Sequence, residues 1–149
     1  MSPYAPLWTY ESTNPGAPIP FEGCPCGRSL APRGYRRAVS RWRKAQELAA
    51  SSGVDTLLVT PGADLRYLTG YTAIPLERLT CLVLPAHGDP TLIVPALEGP
   101  AAVASGVDVA IATWNELDDP FALVTDLVGD AKTVGLDDHM WASRVFAFR

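Results

Sequence analysis

The chain contains no apolar run near the roughly 18 residues that a membrane-spanning helix requires, so no membrane helix is expected. Cysteine is scarce, with three residues, too few for a disulfide framework. Cys24 and Cys26 stand one residue too close for the redox Cys-x-x-Cys pattern, and no second Cys or His pair lies near enough to complete a tetrahedral zinc site. Cys81 sits in an apolar run and reads as a small buried hydrophobe. Cations are outnumbered, with 12 Lys and Arg against 16 Asp and Glu. The net charge of -4 lacks the basic excess of a nucleic-acid binder. The first 21 residues have neither a basic start nor an apolar core, so no secretory signal is visible and a cytoplasmic protein with reduced thiols is expected. Pro61-Gly62-Ala63 lacks the spacing and the Lys of a phosphate loop, which leaves a nucleotide-binding α/β protein as a weak third reading.

What the chain does have is a globular composition, 149 residues at 48% apolar, enough for one independent core. Half of its 14 prolines fall in residues 1–34, where no periodicity is present. That segment is expected to be a flexible Pro-rich head ahead of a single domain over residues 35–149. Trp8, Tyr10 and Phe21 within it name no partner.

From Tyr35 the pattern becomes helical. Ala38, Val39, Trp42, Ala45, Leu48 and Ala49 recur at three- and four-residue steps. Arg36, Arg37, Arg41, Arg43 and Lys44 fall largely on the other face, where a solvated surface outweighs phosphate or membrane binding. Gly53 suits a left-handed cap. Short apolar runs then alternate with helical segments. Strands are predicted over residues 56–60, 79–84, 91–94, 107–112 and 133–136, and helices over 63–68, 97–105, 120–128 and 139–148. The turn Gly88-Asp89-Pro90 joins the second and third strands as an antiparallel hairpin. The fold class is therefore α/β, a mixed β-sheet flanked by helices.

Few residues carry chemistry. Asp55, between a helix and the first strand, suits a turn in which it accepts backbone N–H bonds. Leu65 and Leu68 can face the core, and Gly70 frees the chain for a sharp exit that projects Tyr71. Tyr71 either packs on the domain surface or lines a substrate cleft. Arg78, after Glu77, is either half of a solvated pair or a planar fork for a carboxylate such as a peptide C-terminus. His87 lies in the hairpin turn with no obvious partner.

Five pieces in order carry a family resemblance. They are Gly53-x-Asp55 before an apolar strand, Asp64-Leu65-x-Tyr67-Leu68-Thr69-Gly70-Tyr71, and Arg78 before residues 79–84. Gly88-Asp89-Pro90-Thr91-Leu92-Ile93-Val94-Pro95 and Val134-Gly135-Leu136-Asp137 complete the set. Over residues 35–149 the chain resembles the creatinase/prolidase N-terminal domain of Xaa-Pro dipeptidases and aminopeptidases, the M24 metallopeptidases. The resemblance implies a mixed-sheet α/β fold with a ribonuclease H-like motif, and a catalytic pita-bread domain following it in full-length members. That second domain would hold two divalent metals, Mn or Co, through two Asp, one His and two Glu, and cleave peptides at proline. The chain is expected to stop before it, as a fragment, and to hold no cofactor itself. Asp108 and Asp119 show the spacing of the first two metal Asp residues, but their flanks and place in the chain do not match. The resemblance also implies a homodimer or a catalytic-domain partner, a proline-containing peptide as substrate of the parent, and Tyr71 and Arg78 as candidates at the substrate cleft. The expected function is that of a non-catalytic N-terminal domain assisting dimerisation and cleft formation; the alternative is a stand-alone protein-interaction module. The apolar end of the chain, with Trp141, Val145, Phe146 and Phe148, is expected to stay partly exposed.

Overall fold

The computed structural model describes residues 33–148, with side chains from Arg41 onward. Residues 1–32, nearly all of the expected Pro-rich head and with it Cys24 and Cys26, lie outside the described residues.

The first helix, α1 (Arg33–Ser51), begins two residues ahead of the expected boundary. Trp42 and Ala49 are buried, and Ala45 packs beside them on the core. Leu48 departs from the expected apolar face and is exposed. It stands one residue, about 100° of helical rotation, from Ala49, which turns it past the sheet. After α1, Gly53 takes the left-handed conformation anticipated for it, with φ 72°. The chain continues as β1 (Thr56–Val59), α2 (Ala63–Thr69), β2 (Cys81–Pro85), β3 (Thr91–Pro95), α3 (Gly99–Ala104), β4 (Ala110–Trp114), α4 (Pro120–Val128), β5 (Val134–Leu136) and α5 (Ala142–Ala147).

The strands form one five-stranded mixed sheet in the order β4-β3-β2-β1-β5. β2 pairs antiparallel with β1 and with β3, whereas β4 lies parallel to β3 and β5 parallel to β1. Alternation along the strands divides the core between two faces. Val59, Leu82, Leu84, Leu92 and Val94 meet Trp42 of α1, Leu65 and Leu68 of α2, and Ala102 of α3. Leu58, Cys81, Val83, Ile93 and Trp114 meet Val124 of α4, with Phe121, Val145 and Phe148 packed alongside. Covered on both faces, β2 and β3 read as continuous apolar runs rather than alternating ones. Each leucine sealed there contributes on the order of 1.5–3 kcal/mol.

Other expected boundaries shift as well, and β2 begins at Cys81 rather than at residue 79. α3 is shorter than predicted, because Leu97 is exposed and Glu98 belongs to the preceding turn. β4 begins at Ala110 rather than at residue 107, since its pairing with β3 starts opposite Thr91. Asp108 therefore precedes the strand instead of lying in it. α5 starts at Ala142, not at residue 139, because residues 138 and 139 form a turn.

Candidate functional site

The strand directions place the carboxyl ends of β1, β3, β4 and β5 at the same end of the sheet as the amino end of β2. In open α/β sheets this is the end where ligands sit. The loop of residues 71–80 enters β2 at this end, where Trp114 at the end of β4 donates to its Leu79 O.

Gly70 ends α2 in the left-handed conformation, φ 81°, with its N–H on Arg66 O, and so turns the chain into the loop. Tyr71 does not project as expected. Its N–H is held by Thr69 Oγ1 at 3.0 Å, and the residue is only 5% exposed within the core. Its hydroxyl lies 3.4 Å from Glu98 Oε2, which Thr80 Oγ1 also approaches at 3.5 Å. Burial first, and the Glu98 carboxylate second, push the phenol above its ordinary pKa. Arg78 pairs with Glu116 rather than with its neighbour Glu77, Nη2 to Oε1 at 2.7 Å. The Arg78 side chain is 38% exposed and that of Glu116 69%, so the pair is solvent-screened and contributes little to stability. Tyr71 and Arg78 thus share one loop but bond to different acids, one in the turn before α3 and the other after β4.

Trp114 and Arg144, which the sequence reading did not single out, hold this loop and rim together with Asp137 of the last motif piece. Trp114 Nε1 donates to Leu79 O at 2.9 Å in a buried position. Arg144, 4% exposed on α5, donates from Nη2 to Leu76 O and to Arg78 O. Asp137, just after β5, accepts from Thr60 N at 2.6 Å, Thr60 Oγ1 at 2.8 Å and His139 N at 3.0 Å. Burial lowers the Arg144 pKa, opposed by Cys81 and Asp137. One signal in the chain pointed to Arg144: a lone cation inside the apolar run of residues 140–148.

Cys81 is fully buried, and burial followed by the Asp137 charge pushes its thiol up to about 12. Asp55 accepts from Lys132 N and Thr133 N at 2.8 and 2.9 Å, as expected of a turn organiser, and those bonds lower its pKa. His87 is exposed in the hairpin turn at the opposite end of the sheet. Trp141 and Phe146 are largely exposed, whereas Val145 and Phe148 pack against the second core face.

The donor atoms of Asp64, Asp138 and His139 lie within 4.8 Å of one another on the surface. This set offers no Glu and is fully exposed, and Asp138 Oδ1 sits 2.6 Å from His139 Nδ1. It does not match the two-Asp, one-His, two-Glu centre that the resemblance implies for a catalytic domain. Asp119 caps α4, accepting from Phe121 N and Ala122 N, and Asp108 lies outside β4. The described residues therefore do not fit a two-metal centre.

The profile of the Creatinase/Prolidase N-terminal domain matches residues 41–148. The probable dipeptidases PepE of Mycobacterium tuberculosis and Mycobacterium bovis are 41% identical over 90 residues, covering 58% of this chain and 24% of theirs. The chain thus spans about a quarter of the length of these curated relatives. The crystal structure of dipeptidase PepE from Mycobacterium ulcerans superposes with a TM-score of 0.69 at 37% identity, over 76% of this chain and 32% of that one. The N-terminal domain of Xaa-Pro dipeptidase from Lactobacillus brevis gives a TM-score of 0.67 at 22% identity, over 72% of this chain and 84% of that one; this likeness concerns the fold.

Proposed function

The chain belongs to the creatinase/prolidase N-terminal domain family, and from that premise we propose that it serves an Xaa-Pro peptidase of the M24 type as its non-catalytic N-terminal domain. In this reading a catalytic domain supplies the divalent metal, Mn or Co, and the bond cleavage. The present chain supports assembly with that domain or with a second copy, and closes one side of the cleft for a proline-containing peptide. A cytoplasmic location goes with that role.

The observation that carries the reading is the 37% identity to a dipeptidase PepE structure over three quarters of this chain. The rim adds a chemical reason. Arg78 offers a partly exposed guanidinium whose present partner is an exposed carboxylate, and a peptide C-terminus can replace Glu116 in the same planar pairing. Tyr71, being buried, serves as the wall that holds the loop rather than as a group touching substrate.

The test is complementation. The chain is mixed with a metal-loaded catalytic domain of a PepE-type dipeptidase lacking its own N-terminal domain, and Xaa-Pro dipeptide hydrolysis is followed. A saturable gain in kcat/KM is expected; no gain, with no association, would defeat the reading. The second reading, a stand-alone interaction module, is favoured by the exposure of Ile74, Leu76, Trp141 and Phe146. It would take precedence if the chain captured a defined protein partner while giving no gain in hydrolysis.

A further inference from the structure

Arg144 is a buried cation held by backbone carbonyls. Among the described residues no carboxylate lies within ion-pair distance of it. Its guanidinium carbon lies 4.8 Å from the Trp141 ring centroid, and its Nη2 donates to Leu76 O and, at 3.3 Å, to Arg78 O. These carbonyls are 68 and 66 residues away in sequence. A charged group taken from water is tolerated only where its donors are matched, and here the match comes from two carbonyls of one loop.

That loop has little else to fix it. Residues 71–80 belong to no helix or strand. Its hydrogen bonds run from Tyr71 at one end and through Leu79 to Trp114 at the other. Between these points Ile74 and Leu76 expose apolar side chains, and the direct Arg78–Glu116 pair is solvent-screened and holds the loop only weakly. We infer that Arg144 is a positioning residue, a clamp through which α5 fixes residues 76–78 and so sets the direction in which Arg78 presents its guanidinium to a carboxylate ligand. The guanidinium carbon lies over the Trp141 ring while Nη2 serves both carbonyls; a lysine ammonium has no planar face to lay against the ring. The inference rests on the proposed function only for the identity of that carboxylate, a peptide C-terminus.

The test compares wild type, Arg144→Lys and Arg144→Met by backbone NMR relaxation on the full chain. In Arg144→Met the order parameters of the non-proline residues 72–78 are expected to fall from about 0.85 to below about 0.6, the effect of releasing the two carbonyls. Residues of β1, β2 and β3 keep their values, and Arg144→Lys falls between. Unchanged loop values, or an equal fall in loop and strands, would overturn the inference, the latter marking Arg144 as a general stabiliser. Should Arg144→Met fail to fold, Arg144→Lys and the wild-type NMR spectrum decide. Slowly exchanging Arg144 guanidinium protons with contacts to Leu76 and Arg78 support the clamp, and rapid exchange without those contacts overturns it. In the complementation mixture, Arg144→Met is expected to raise KM for a dipeptide with a free C-terminus while kcat holds, as Arg78→Ala does. A loosened loop with unmoved KM would sustain the clamp and sink the carboxylate role instead.

Discussion

The hydrogen bonds of single side chains decide much of the rim. Asp137 is the acceptor for the backbone N–H of the buried Thr60, so Asp137→Ala leaves that donor unsatisfied. A loss of about 2–4 kcal/mol in urea denaturation is expected, with Asp137→Asn losing less because an amide oxygen can still accept. Two tryptophans provide an internal comparison. Trp114 Nε1 has Leu79 O, whereas the buried Trp42 Nε1 has no hydrogen-bond partner among the described residues. Trp→Phe removes similar volume at both sites, but only at position 114 does it orphan a carbonyl. Trp114→Phe is therefore expected to be the more destabilising by roughly 1–2 kcal/mol in the same assay. The Cys81 thiol gives a pH signature. Its folded pKa, about 12, lies above the ordinary thiol value of 9.0. The unfolded chain thus releases this proton first as pH rises, and stability falls from about pH 9 towards pH 12. Cys81→Ala should flatten the onset of that alkaline slope, measured by denaturation at stepped pH.

At the scale of elements, the end of α2 depends on Gly70, whose φ of 81° strains any residue with a β-carbon. The position is open, with no heavy atom near an added β-carbon, so Gly70→Ala carries the backbone penalty alone. A loss of about 1 kcal/mol in the melting curve is expected. Most of the elements were legible because their signals are local. The apolar steps from Ala38 to Ala49 announced α1, and the turn at Gly88 announced the hairpin. β4 slipped by three residues at its start because its boundary is set by pairing with β3, a contact that no local pattern encodes. The site was less legible than the fold. Asp55 read correctly because it acts on the neighbouring turn, whereas Tyr71 was expected to project and is buried under Glu98 and the sheet. Arg78 was legible as a cation, but its partner Glu116 and its support Arg144 come from distant segments, and only the folded chain brings them to it.

For the whole molecule, the sheet carries an apolar core on each face and a rim of bonded polar groups, with no donor set among the described residues that fits a two-metal hydrolytic centre. The exposed side chains Ile74 and Leu76 of the loop and Trp141 and Phe146 around α5 are the kind of surface that a partner covers. In the proposed reading, activity belongs to the assembled pair. The most direct test is sedimentation velocity of the chain with a PepE-type catalytic domain, read together with Xaa-Pro dipeptide hydrolysis across the titration. The account expects a defined complex whose formation and rate gain saturate at the same ratio, with Arg78→Ala leaving the complex intact but raising KM. Independent sedimentation of the two proteins with an unchanged rate would contradict it.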